Sequence, residues 1–361
     1  MNTWKRAVGV VLWFWMAACS TIGPGTVPRD RVDYVNAIGT SWEQETLLNI
    51  VKLRYGHAPI FFSVTQVVSG YQFQSTVTAG LETSNFTPNT NIFGIAGTAT
   101  AEGQYTDRPT IIYTPLTGVD FLQKLMTPIP PSVVLFLLQA GYSANIVMPI
   151  TLDSINGINN ESRRGMRRTA DPRFNRVAQL VRELQLGGTL QVRVQRAKDG
   201  NETSLITFAS IKDPQAQSER QALRSLLGLR PGLQSFRVYY GGYSGRDDEI
   251  GIMTRSMMEV MLELAAGMHV PESDVTEGRA APGLAYGQAG GTPGTPTVNI
   301  LSGNKAPSDA SIAVQYNGRW FWIADTDFRS KTIFGTVMIL FSISDVGIKG
   351  APPIVTIPAN Q

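Results

Sequence analysis

One cysteine, Cys19, and two histidines, His57 and His269, are all the thiol and imidazole that 361 residues contain. A single thiol excludes an internal disulfide, so the fold rests on packing even where the compartment would allow oxidation. The histidines stand far apart in sequence and neither has the spacing of metal ligands. Without a second cysteine a zinc site would have to draw on carboxylates, and neither metal nor cofactor is expected. Charge is scarce as well, at 16% of residues, and the 31 basic side chains nearly cancel the 28 acidic ones. Neither a strong global field nor a basic surface interleaved with aromatics points to nucleic acid. Phosphate-loop and dinucleotide fingerprints are missing. No apolar run reaches the roughly 20 residues that a helix needs to cross a bilayer. One shortage is regional: no Lys or Arg occurs between Arg54 and Arg108.

What is present is a Gly-, Thr-, Ser- and Asn-rich texture, common in secreted β-rich proteins, and an ordered series of signals at the N-terminus. Lys5 and Arg6 are followed by the apolar run Ala7 to Trp15 and by Met16-Ala17-Ala18-Cys19. A positive start, a short apolar core and a small-residue exit read as a secretory signal. The last four residues resemble the lipobox of the bacterial lipoprotein family, which ends in two small residues and a cysteine; Met16 is a less usual opening residue. The resemblance implies cleavage before Cys19 and attachment of a diacylglycerol thioether and an N-acyl chain to it. Ser20 stands where an Asp would resemble the inner-membrane retention signal, so the expected location is the outer membrane of a Gram-negative envelope. Each buried methylene contributes about 0.8 kcal/mol, and two or more acyl chains anchor a protein stably. Loss of Lys5 and Arg6 with the signal means that the pI near 8.9 overstates the basicity of what remains.

Along the rest of the chain the apolar periodicity changes several times. Gly23, Pro24, Gly25 and Pro28 suggest a tether. Ser41 and Gln44 have capping-box spacing, and Trp42, Leu47, Leu48, Val51 and Tyr55 follow at helical intervals, predicting a helix over 42–54 closed by Gly56. The period then becomes two. Tyr71, Phe73, Val77 and Leu81 alternate with polar or small residues, and after a turn through Asn85, Pro88 and Asn89 a second strand brings Phe93, Ile95 and Tyr105 onto an apolar face. Glu82 and Glu102 fall on the polar face of this long hairpin. Strands of about ten residues, apolar outward and polar inward with aromatics near the ends, are the pattern of a transmembrane β-hairpin. One hairpin cannot span alone, since its edges would stay unpaired in hydrocarbon, so insertion would require copies from a ring of identical subunits. A long soluble hairpin covering a sheet is the other reading.

Beyond Pro109 the pattern predicts an extended stretch over 110–114, a helix over 119–126, a buried helical segment over 133–139 and a strand over 144–152. Arg163, Arg164, Arg167 and Arg168 cluster in a polar stretch, suited to an anionic partner or to a solvated loop. An amphipathic helix over 172–186, a hairpin over 189–209 turning at Asp199-Gly200, a helix over 219–227, a strand over 235–240 and a capped helix over 256–266 compose an α+β module. Residues 271–296 lack periodicity and read as a linker. Strands over 297–301 and 310–316, an Asn317-Gly318 turn, a strand over 319–323 and a helix over 328–344 close the chain. The run Tyr316 to Asp325 with this helix resembles the C-terminal part of an uncharacterised group of proteobacterial lipoproteins, which carries no activity to transfer.

The fold class expected is α+β, mixed, with mostly antiparallel strands. The expected segments are 1–18 signal, 19–40 lipidated N-terminus and tether, 41–155 helix and hairpin region, 156–270 α+β module, 271–296 linker and 297–361 C-terminal hairpin and helix. No catalytic residue emerges. Ser244 lacks the glycine two residues on that a nucleophile elbow needs. The acids Asp247, Asp248 and Glu249, and the pair Asp325 and Asp327, have the residue types of glycoside hydrolysis but read better as loop and helix-cap carboxylates. Trp320 and Trp322 share a strand face, as residues two apart do, and fit either stacking on a sugar or packing against the last helix. The expected protein is a non-enzymatic lipid-anchored component of the cell envelope, a homo-oligomer giving its hairpin to a barrel or a monomeric binding module for saccharide or lipid headgroup. Replacing Cys19→Ala is expected to abolish palmitate incorporation and move the protein from membrane to soluble fractions; labelled palmitate in the variant would contradict the anchor.

Overall fold

The computed structural model describes residues 27–68, 71–83, 95–107, 110–162, 170–196, 202–209, 213–281 and 297–343. They divide into two compact units, one holding the described residues up to 61 and from 117 to 343, the other those from 62 to 116. Cys19, Phe93 and the Arg163–Arg168 cluster lie outside the described residues, as does the turn at 85–89.

Helix α1 spans Val27–Arg54, and so begins well before residue 42. Pro28 falls in its first turn, where a missing N–H costs nothing, so the helix reaches into the tether expected over 19–40. Ser41 and Gln44 consequently sit mid-helix. Leu47, Ile50 and Val51 are fully buried, whereas Val32 and Val35 are exposed. Gly56, with φ 73°, takes the left-handed conformation that ends the helix. The buried Asn49 amide then donates to Ile60 O at 2.7 Å and accepts from Ile60 N at 3.0 Å, fixing the chain as it leaves for the first strand.

The smaller unit holds two two-stranded sheets, the longer of them a ribbon. β1 (Phe61–Val68) pairs with β4 (Thr110–Leu116), and β2 (Tyr71–Thr83) with β3 (Ile95–Asp107). Ile111, Ile112 and Tyr113 of β4 are all exposed, on both faces of the strand.

In the larger unit α2 (Val119–Met126), α3 (Pro131–Gln139) and α4 (Ala144–Thr151) lead into a six-stranded sheet. The strand expected over 144–152 is instead α4 followed by β5 (Leu152–Ile155) and β6 (Ile158–Asn159). A short run apolar on every side does not distinguish a buried helix from a buried strand. The sheet continues with β7 (Leu190–Arg196), β8 (Glu202–Phe208), β9 (Ser235–Tyr240) and β10 (Glu249–Thr254), in the order β6-β5-β10-β9-β8-β7. Only β9 and β10 among these neighbours are parallel. The fold is thus α+β with mostly antiparallel strands. Helices α5 (Pro172–Leu186) and α6 (Pro214–Leu227) each start with an aspartate cap and a proline: Asp171 accepts from Arg173 N, and Asp213 from Gln215 N and Ala216 N. Helix α6 begins five residues before the expected 219. Val134, Leu138, Val181 and Leu223 from three helices meet Val238 and Ile250 of the sheet around an apolar void of about 40 Å³.

Strand β10, absent from the sequence expectations, is central and almost wholly buried. Its interruption by Gly251 disguises it, yet that glycine is required: a Cβ there would collide with the carbonyl oxygen of Gly242. Helix α7 (Met257–Gly267) opens with the expected capping box of Ser256 and Glu259 and buries Met257, Val260, Met261 and Leu264. Helix α8 (Glu272–Thr276) occupies the start of the expected linker, and Asp274 and Ala280 are buried there. The linker therefore does not begin at 271; residues 282–296 lie outside the described set.

A second sheet holds β11 (Leu301–Gly303), β13 (Arg319–Ala324) and β12 (Ala310–Tyr316) in that order, all antiparallel. Asn317 and Gly318, with φ of 48° and 76°, form the type I′ turn. Helix α9 (Phe328–Ile343) buries Ile333, Phe334, Val337, Leu340 and Phe341 but leaves Phe328, in its first turn, exposed. Phe61 stacks between Phe121 and Phe341, with ring centroids 5.8 and 5.6 Å away. Gly251→Ala is expected to lower stability by about 3 kcal/mol, the upper end for overpacking a core, read as a drop in chemical-denaturation midpoint with unchanged m; a neutral substitution would show that β10 has room at this position.

Candidate functional site

The ribbon's register defines its two faces. Tyr71 lies opposite Asp107, Phe73 opposite Tyr105, Val77 opposite Ala101, Leu81 opposite Gly97 and Thr83 opposite Ile95. Directly opposed residues of an antiparallel pair share a face, and every opposed pair joins odd to odd or even to even. One face therefore carries the odd positions of both strands, including Tyr71, Phe73, Val77, Leu81, Ile95 and Tyr105. The even face carries Gln72, Gln74, Thr76, Thr78, Gly80 and Glu82 against Thr106, Gln104, Glu102, Thr100, Thr98 and Ala96. A register slip of one residue would scramble both sets. Asp107 extends the strand beyond the expected range and falls on the odd face, at the end away from the turn. Among the described residues β2 and β3 form a sheet of two strands alone.

A carboxylate organises the body. Asp274, 3% exposed, accepts from the Tyr55 hydroxyl at 2.6 Å and from Arg279 at 2.6 and 3.1 Å, with Arg319 at 3.2 Å. Burial is the largest influence on its ionisation and opposes it, but hydrogen bonds from Tyr55 and Arg279 and the charges of Arg319 and Arg279 together hold the carboxyl below its ordinary range. Burial first, and then the hydrogen bond to Asp274, pushes the Tyr55 phenol far above its usual value. The Tyr55 ring meets Tyr316 and Phe321 edge-on at 5.5 and 6.0 Å, and His57 Nδ1 is hydrogen-bonded to the Tyr316 hydroxyl. The arrangement joins the end of α1, helix α8 and the β12–β13 hairpin through one charge. A proton donor with a raised pKa beside a carboxylate with a lowered one is a tie that resists proton transfer, since each group prefers the form it already has.

The other acids are matched in the same way. Asp247 pairs with Arg230 at 2.7 Å, Asp248 with Arg246 at 2.9 Å, and Glu249 with Arg237. Hydrogen bonds from Arg230 and Arg246 hold the first two carboxyls down, the reverse of the raised value that a general acid needs. Asp327 caps α9 through Ser330 N and Oγ, and Asp325 binds Lys331 at 2.8 Å, so these two acids serve different partners. Ser244 Oγ accepts from Arg246 N, as a turn residue does. Among the described residues no group of three or more His, Cys, Asp or Glu is placed to hold a metal, and no helix is long and apolar enough to cross a membrane.

Trp320 and Trp322 are half-buried, while Phe321 and Ile323 between and beyond them are fully buried. The core packing considered for the tryptophans falls to their neighbours. Trp322 lies opposite Leu301 and Ala313, and its ring covers Gly303, where a Cβ would meet it at 3.2 Å. Sequence reasoning missed both Asp274, hidden in an aperiodic stretch, and a polar cavity of about 270 Å³ lined by Asn145, Asn160, Glu161, Arg255, Glu263 and Arg329. Arg255, 1% exposed, donates to Pro149 O at 2.9 Å and to Glu161 O, satisfying a carbonyl at the C-terminal end of α4. No family model, curated protein or solved structure matches the chain.

Asp274→Asn is expected to cost about 3 kcal/mol, as for loss of a buried hydrogen-bonded charge. Because the folded carboxyl titrates below its unfolded value near 3.9, its contribution is complete above about pH 4 and fades as the pH falls through the folded value. The Tm gap between wild type and variant should thus be widest at neutral pH and close in acid; a gap independent of pH would remove the charge from the argument.

Proposed function

We propose that this protein is a lipid-anchored outer-membrane component with a structural or assembly role, and that identical copies contribute their ribbons to one β-barrel. The observation that carries the reading is the register of β2 against β3, which keeps the apolar set of one strand on the same face as the apolar set of the other. Thirteen residues extend about 44 Å. Tilted by about 45°, as barrel strands are, they rise about 31 Å, close to the hydrocarbon thickness of roughly 30 Å. The odd face then meets lipid and the even face the lumen. Hydrogen-bond closure in hydrocarbon requires neighbours on both edges, which a ring of copies supplies without any further strand from each chain. Acylation of Cys19, implied by the lipobox resemblance, would hold the copies at one membrane surface and raise their local concentration.

A second reading, a monomeric envelope binding module, draws support from the polar cavity and from the half-buried tryptophan pair on one face of β13. Face-specific substitution separates the two. Val77→Arg places a charge toward lipid, at about 2–4 kcal/mol per copy near the midplane, and is expected to abolish oligomers and protease protection of residues 71–105 in membranes. Thr78→Arg, one residue on, faces the lumen and should preserve both. Equal tolerance of the two, with only monomers by light scattering in detergent, would favour the binding module.

A further inference from the structure

The odd and even faces differ in charge as well as in polarity. Between Arg54 and Arg108 there is neither Lys nor Arg, and the acids of that stretch are Glu82, Glu102 and Asp107. The register places Glu102 opposite Thr76 and Glu82 opposite Ala96, both on the even face. Those two rows are six residues apart, about 20 Å along the strands. Asp107, opposite Tyr71 at the end of the pair, lies on the odd face.

Resting on the shared-barrel reading, we propose that the even face lines a water-filled passage that conducts small cations in preference to anions. In a ring every copy repeats the same two rows, so the passage carries two successive belts of carboxylate, one near the turn end of the ribbon and one nearer its base. Nothing of opposite sign occurs in either strand. Between the belts the even-face positions are Thr78, Thr100, Gly80 and Thr98, which offer hydroxyls and carry no fixed charge. Rings of acidic side chains make a pore cation-selective because the summed field raises the local concentration of cations and excludes anions. The two belts also act in series, so an ion of the wrong sign meets the barrier twice.

The test uses the full-length acylated protein, purified in detergent and reconstituted into planar bilayers across a tenfold KCl gradient. The expected result is a reversal potential on the potassium side, corresponding to K⁺ permeating severalfold better than Cl⁻. The double variant Glu82→Gln/Glu102→Gln should bring the permeability ratio close to one, each single variant falling between, while Asp107→Asn on the other face leaves the ratio at the wild-type value. Glu102→Lys, a reversal of sign at one belt, guards against a double variant that fails to assemble and should push the ratio toward chloride. Oligomers that insert and conduct without preferring K⁺, or whose preference survives loss of both glutamates, overturn the proposal and leave the shared barrel standing. Protein that stays monomeric and never conducts overturns the barrel and the selectivity with it.

Discussion

A β-strand has hydrogen-bonding groups along both sides, and a sheet of two strands satisfies only the inner half of them. For β2 and β3, each 13 residues long, the outer half remains available for another backbone. In water such edges are solvated, but in hydrocarbon each unpaired group costs several kcal/mol. Soluble proteins that expose long edges blunt them with lysine, proline or bulges. Neither strand contains a lysine or a proline, and the register runs unbroken from Tyr71 to Thr83. An isolated hairpin is marginal on its own, and among the described residues no further strand pairs with these edges.

The larger unit solves the opposite problem, since it has no disulfide and must be held by packing and by a few well-placed charges. Asp274 accomplishes much of this in one place, binding a helix end, a short helix and a hairpin that are distant in sequence. The desolvation of its carboxylate is offset by two guanidinium groups and a phenol, the condition under which a buried charge stabilises a fold. Elsewhere the arginines answer carboxylates locally, as Arg230, Arg237 and Arg246 do for the acids at 247–249. Sequence proximity of acids there reflects a turn between strands and not a pair poised for chemistry.

Elements with strong local signals were readable from the chain. The capping box at Ser256, the Asn317-Gly318 turn, the amphipathic α5 and the period-two ribbon all follow from residues within a few positions of one another, and the structure keeps each. Those that depend on tertiary context were not. Helix α4 and strand β10 are short and apolar, and what separates them is their neighbours: β10 is fixed by pairing with both β5 and β9. Helix α6 carried the same Asp-Pro start as α5, a signal present at Asp213 and passed over. Asp274 gave no pattern because its partners Tyr55 and Arg319 lie more than forty residues away on either side. The ribbon's faces were legible because alternation survives without any knowledge of the partner strand; that the strand reaches Asp107 was not.

The placement of β10 also governs when the body can form. Ile155 of β5 finds its partner in Ile252 of β10, and β9 lies on the other side of the same strand. Until the chain has been synthesised past residue 254, β5 and β6 have only each other and cannot join β9, β8 and β7 in one sheet, and non-local pairing of this kind is slow in any case. Late closure leaves the chain without its central strand, and so without a complete sheet, until most of it has been made.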